Sequence, residues 1–379
     1  MMRSPVCVRS LALIVCVGLG VSVDCAVGIA TPVALPVTAL KRQPIARGLY
    51  ELVYSPSQDA VFVASSGGFG EDAGPSQILR LDPATLAVQG RIALQRKAFG
   101  VALDDANGRL YVGNTFDSSV TVVDTTANTP IGTVQLMDKG GGKHAAGSTS
   151  KLRELVVDSI HHRLYVSGHS EAGGVLFVVD TRSLKQVASI AGLGQAKTLG
   201  LTLDHVGKRL YTSNLRGEVV VVNAGSGKVE RCYKVSAEQP MNLALDPAGG
   251  RLFITDQGLD IVRKYQAKSI PGFVSRHPGK RVLVVDPMTG KEMASFPTGA
   301  GPLALLLDAS RNRLYVTNRK AGTVTAYDSN RYTQVGRWSV PAHPNSLALD
   351  ARRNVLYVSV KNDEAAPRNT AESVVRIQL

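Results

Sequence analysis

The chain has 379 residues, 44% of them hydrophobic, and a formal net charge of +13. That length and apolar content are ample for a large core, and the basic excess favours polyanions or anionic surfaces as partners. Three of the four cysteines (Cys7, Cys16, Cys25) fall in the first 25 residues, so Cys232 alone remains beyond them and an internally disulfide-stapled fold is excluded.

Residues 1–30 have the composition of a targeting segment. Arg3 and Arg9 precede an apolar run from Leu11 to Val23, too short to span a bilayer, and Gly28 to Ala30 offer small residues for cleavage before Thr31. We read a secretory signal peptide at 1–30 and an exported chain at 31–379.

From there one sentence repeats. RLYVGNTFDSSVTVVD, RLYTSN, RLFITD and RLYVTNRKAGTVTAYD align on Phe62, Tyr111, Tyr165, Tyr211, Phe253, Tyr315 and Tyr357. Seven residues earlier stand Ser55, Asp104, Asp158, Asp204, Asp246, Asp308 and Asp350. The minimal period is about 42 residues, and each unit holds four alternating apolar stretches separated by Asp, Asn, Pro and Gly, which is the pattern of a four-stranded propeller blade. The expected fold is all-β: a single seven-bladed β-propeller of antiparallel blades, with strands A to D from the axis outward. The seventh copy ends after its C strand, and VALPVTALK (Val33 to Lys41) is expected to complete that blade and close the ring. No window shows a sustained helical period, so a helical solenoid is excluded.

The insertions fall almost entirely on the face bearing the B–C and D–A loops. They are SSGGFGEDAGPSQ in blade one, MDKGGGKHAAGSTSK between blades two and three, residues 257–281 in blade five and KNDEAAPRNTAES in blade seven. Loops that tolerate insertion carry function, so this asymmetry nominates one working face. Candidate polyanion contacts on it are Lys139, Lys143, Arg263, Lys264, Lys268, Arg276, Lys280, Arg281 and Lys320, with Phe99, Tyr265 and Phe273 interleaved. Basic residues with aromatics suit phosphate contacts and base stacking on single strands.

Four residues before the anchor the copies carry Glu51, Gly100, Glu154, Gly200, Asn242, Ala304 and Ser346. Polar breaks at a repeated position mark where the repeat stops being purely structural. Glu51 and Glu154 are expected to face the axis beside Tyr50 and Arg153. Asn114, Asn214, Asp256 and Asn318 end the B strands at the same mouth, where turn chemistry explains them as readily as a ligand does. A hard cation would suit such a ring of oxygens, but nothing in the sequence fixes their spacing. No GxSxG, CxxCH or phosphate-loop motif occurs.

The strings LTLDHVGKRLYTSN, YVTNRKAGTV, HPNSLALD and LYVSVK resemble the periplasmic YncE-like members of the YVTN β-propeller family. The resemblance implies a non-enzymatic periplasmic propeller able to bind single-stranded DNA or another polyanion on one face. It carries over Tyr50, Glu51, Asn114, Arg153, Glu154, Arg319, His343, Asn345, Ser346 and Lys361 as binding candidates, and it requires no cofactor. Two alternatives stay open: a lactonase-like hydrolase at the channel mouth, and a scaffold for envelope proteins. A monomer is expected.

Overall fold

The computed structural model describes residues 40–137, 151–170 and 173–379. Seven four-stranded antiparallel sheets are arranged as blades, and consecutive strands pair within each blade. The exception is the seventh, in which the sheet order runs from the strand Leu40–Ala46 through Glu372–Gln378 and Val355–Lys361 to His343–Asp350. The closing strand pairs as expected with strand C of blade seven, over Leu40–Ala46 among the described residues, with Leu40 opposite Ile377 and Gln43 opposite Val374. Residues 33–39 lie outside the described residues. Most of Leu40–Ala46 is exposed, and the strand is joined to the ring by its pairing with Glu372–Gln378.

The repeated residues explain the blade. Each anchor accepts the N–H three residues on and so closes the A–B turn: Gly207 N to Asp204 Oδ1 at 2.8 Å, Gly249 N to Asp246 Oδ1 at 2.9 Å, and Gln58 N to the substitute Ser55 Oγ at 3.2 Å. A second acidic or amide residue does the same for the C–D turn, as with Ala127 N to Asp124 Oδ1 at 2.8 Å. The motif aromatics are buried between blades. Their hydroxyls cross to the next blade, Tyr165 to Ala224 O at 3.1 Å and Tyr357 to Pro83 O at 3.0 Å.

Strand period two puts alternate residues of every blade on opposite faces, so each blade interface holds a hydrophobic cluster, and a further small one gathers Ala196, Leu199, Leu215 and Ile270. In blade one Val61, Val63 and Leu79 pack toward blade seven, whereas Phe62, Ala64 and Ile78 pack toward blade two.

Besides a single 3-10 turn at Ala309–Arg311, one element among the described residues departs from the all-strand expectation. Residues Asp260–Ser269 of the blade-five insertion form a helix, α1. Neither helical signal is present in its sequence: Leu259 at the N-cap makes no side-chain cap, and the buried position on the helix is a glutamine. Gln266 donates to Leu215 O at 2.9 Å and Glu238 O at 2.7 Å, which fastens the helix over blades four and five through backbone carbonyls.

Candidate functional site

The A strands are set around the axis by a repeated hydroxyl. Two residues after the motif aromatic, Ser167, Ser213, Thr255, Thr317 and Ser359 accept the N–H of Glu154, Gly200, Asn242, Ala304 and Ser346 at 2.9–3.2 Å. Ser213 and Ser359 also donate to the next blade, reaching Pro240 O at 2.7 Å and Tyr50 O at 2.5 Å. Blades one and two carry Ala64 and Gly113 at that position and lack the clasp.

There the axis is rebuilt. Gly100 has no side chain, and a Cβ on it would stand 2.9 Å from Leu155 Cδ1, 3.1 Å from Arg153 O and 3.4 Å from Glu51 Oε2. Through this gap Glu51 of blade one reaches the backbone of blade two, accepting the Val101 N–H at 2.9 Å. It also comes within electrostatic reach of Glu154 in blade three. Burial raises the Glu51 carboxyl well above the usual carboxylate range and Glu154 raises it further, while the Val101 N–H and Arg153 oppose the rise. Burial also raises Glu154, again against Arg153. Two desolvated carboxyls side by side resist ionising together, so the pair retains a proton to higher pH than isolated glutamates do.

A funnel of about 1070 Å³ opens above this pair. Its walls differ. Blades one and three supply Glu51, Arg153, Glu154 and His169; blade five supplies Asn242 and Gln257; α1 with its flanks supplies Leu259, Ile261, Val262 and Tyr265. Arg319 stands at the mouth and bonds Asn345 Oδ1 at 3.1 Å.

The rim carries cations over rings. Lys97 Nζ lies 5.1 Å from the Phe69 centroid, Lys151 Nζ 5.9 Å from Phe116, Lys197 Nζ 4.0 Å from Tyr265, and Lys361 Nζ 3.9 Å from Tyr50. Phe69, Phe99, Phe116 and Tyr50 form one continuous aromatic group, with Phe99 at 4.6 Å from Tyr50 and 5.3 Å from Phe116. Phe69 and Phe116 are each 47% exposed.

Of the candidates, Tyr50, Glu51, Arg153, Glu154, Asn242, Arg319, Asn345 and Ser346 line the funnel together. Three do not. Asn114 is buried and ties Lys97 O to the Ser119 and Thr121 hydroxyls, so it is a turn residue. His343 lies under the Arg319 carbonyl, 3.0 Å from its oxygen. Lys361 faces the adjoining pocket, where it donates to Leu49 O at 2.7 Å and pairs with Glu372 at 3.2 Å.

Among the loop cations, Lys264, Lys268, Arg276, Lys280 and Lys320 are exposed, whereas Arg281 and Arg263 are not free for a polyanion. Arg281 is 10% exposed and pairs with the buried Asp256 at 3.1 Å; Arg263 bonds Ser275, Asp260 and the His277 carbonyl. Charge and loop position are all that sequence shows of such a residue, and a buried acid opposite it is a tertiary fact. Lys139 and Lys143 lie outside the described residues, as do residues 1–30, where a signal peptide is expected.

Phe69, Phe116, Lys97, Lys197, His169 and Gln257 also belong to the funnel and its rim, although the sequence does not nominate them. Phe69 and Phe116 could have been found, since each is a lone aromatic in a polar B–C loop. Gln257 gives no such signal.

Fold and site together define a closed seven-bladed β-propeller with one lined axial funnel. No protein-family model matches the chain. It is 33% identical to YncE of Salmonella typhimurium over 344 residues, covering 89% of this chain and 90% of that protein, and 33% identical to YncE of Escherichia coli K12 over 219 residues, 57% and 61% of the two chains. The chain belongs to the YncE family. Among solved structures, hydrazine synthase of Kuenenia stuttgartiensis superposes with a TM-score of 0.68 at 18% identity, covering 91% of this chain and 98% of that one. The Cps50 (Swd1) β-propeller domain of Myceliophteria thermophila gives 0.64 at 10% identity, covering 89% and 98%. At those identities the likeness is one of fold.

Proposed function

We propose that this protein is an exported, non-enzymatic binding protein of the periplasm that holds a polyanion, single-stranded DNA above all, across the rim of the funnel. The observation that carries this reading is the alternation of ring and cation at three rim positions: Phe69 with Lys97, Phe116 with Lys151 and Tyr265 with Lys197. Bases of any identity stack on exposed rings while neighbouring ammonium groups meet the phosphates. The exposed cations of the blade-five insertion and Lys320 extend the same positive surface. Glu51 and Glu154 inside the funnel oppose a phosphate chain, which keeps the polymer on the rim.

Anisotropy titrations of labelled single-stranded oligonucleotides at several salt concentrations test it. Binding is expected for differing sequences and falls linearly in log–log salt plots. No binding at low salt refutes the nucleic-acid reading.

One observation favours a second reading. The raised Glu51–Glu154 pair beside Arg153 has the make-up of an acid–base couple, as a lactonase-like hydrolase at the mouth requires. Lactone hydrolysis that survives Glu154→Gln would remove that assignment.

A further inference from the structure

Deep in the funnel several polar groups have no partner in the protein. Gln257 is 3% exposed and borders the cavity; its backbone N–H bonds Gln239 O at 3.1 Å, but among the described residues its side-chain amide makes no hydrogen bond. Arg153 Nε and His169 Nδ1, both on residues lining the same space, are buried without a partner. Neither Glu51 nor Glu154 has a cation within ion-pair distance among the described residues, and Glu51 uses one oxygen, on Val101 N–H. Glu51 and Glu154 are half-buried and open to the cavity, and polar groups that face a cavity without partners in the chain are free to bind a ligand there, so their concentration points to a partner from outside the chain.

The chemistry of that partner follows from what is unpaired. The Arg153 guanidinium and the Gln257 side-chain amide nitrogen offer donors; Glu154, Glu51 and the Gln257 side-chain amide oxygen offer acceptors. An anion would meet the two carboxyls and a cation would meet Arg153, with Lys151, Lys197 and Arg319 around the mouth. A hydroxyl is donor and acceptor at once, and neighbouring hydroxyls on a ring match planar carboxyl, amide and guanidinium groups without net charge. Opposite these groups stands the α1 wall, Leu259, Ile261, Val262 and Tyr265, which suits the C–H faces of such a ring.

We infer that the funnel below the rim binds a short neutral saccharide, hydrogen-bonded to Glu51, Arg153, Glu154, Asn242 and Gln257 and stacked on Tyr265. This site meets the rim at Tyr265 but takes its hydrogen bonds from groups below it that the rim does not use, so it stands whether or not the rim takes a polyanion, and saccharide and oligonucleotide titrations can fail independently.

The test is calorimetric titration and saturation-transfer NMR of the full protein with glucose, N-acetylglucosamine and their short oligomers, alongside adenosine, glutamate and putrescine. Saturable saccharide binding is expected, with transfer to ring C–H protons and affinity unchanged by salt. Gln257→Leu and Glu154→Gln should each weaken it at least tenfold, and Tyr265→Ala should weaken it and reduce the C–H transfer. If either polar variant fails to fold, Asn242→Ala reads the same wall. The inference is overturned if no saccharide binds, if adenosine or a charged probe binds where saccharides do not, or if affinity is unchanged in the folded variants.

Discussion

Glu51 Oε2 accepts the Val101 N–H at 2.9 Å across the space that Gly100 leaves without a side chain. That bond brings a carboxylate from blade one beside Glu154 of blade three, and the site depends on it.

The stability of the protein should therefore depend on pH through this pair. Glu51 has a folded pKa raised by burial and by Glu154, so the folded state keeps its proton to higher pH than the unfolded chain does. Its contribution is complete below the unfolded value of about 4.3 and is lost as pH rises through the raised folded value. Glu51→Gln cannot ionise and still offers an acceptor to Val101. It should raise the unfolding free energy at neutral pH by on the order of 1 kcal/mol, and the gain should vanish in acid. Melting temperatures of both proteins across pH measure it; a gain that persists unchanged below about pH 4 would show that ionisation is not the cause.

Gly100→Ala should be destabilising although the residue needs no special backbone conformation. The new Cβ meets Leu155 Cδ1 at 2.9 Å and the Arg153 carbonyl at 3.1 Å, and the latter is backbone that cannot turn aside. Overpacking of this kind costs about 1–3 kcal/mol. Denaturant unfolding should show a lower midpoint at unchanged slope.

The ring is fastened at one place by a charged clasp. Lys361 and Glu372, each 13% exposed, pair at 3.2 Å, and they hold the Leu49 carbonyl and N–H respectively, joining blade seven to the start of blade one. Removing one partner of a buried pair costs roughly 3–5 kcal/mol, so Lys361→Met should lower the melting temperature strongly. Lys361→Met with Glu372→Leu should recover part of the loss, since no unpaired charge remains. Thermal unfolding of the two variants decides it.

On the rim, rings and cations should separate by their salt dependence. Phe116→Ala should weaken oligonucleotide binding by about 1–3 kcal/mol and leave the log–log salt slope intact. Lys151→Ala should reduce that slope by about 1. Titrations at a series of salt concentrations distinguish the two.

The sequence by itself determined the blades. Aspartate seven residues before an aromatic is a local arrangement: the anchor closes its own turn, and the aromatic fills a wedge that recurs in each copy, so both survive as a period that can be counted. The axis-facing position was legible for the same reason, because a fixed offset from the anchor puts Glu51, Glu154 and Asn242 on one ring. Tertiary structure decided what those positions do. Gly100 read as one more small residue until its missing side chain proved to be the gap joining Glu51 to Val101. Asn114 and Arg281 looked available, yet their partners, the Thr121 hydroxyl and Asp256, lie on neighbouring strands that only strand pairing and burial bring to them. Helix α1 is held by Gln266 through two distant carbonyls and by Val262 and the flanking Ile270 in a small apolar cluster with Leu199 and Leu215, contacts that neither cap nor a long period announces. A repeat is written in short-range spacing and can be read along the chain; a site assembled from several blades is written in approach distances, which exist only once the ring has closed.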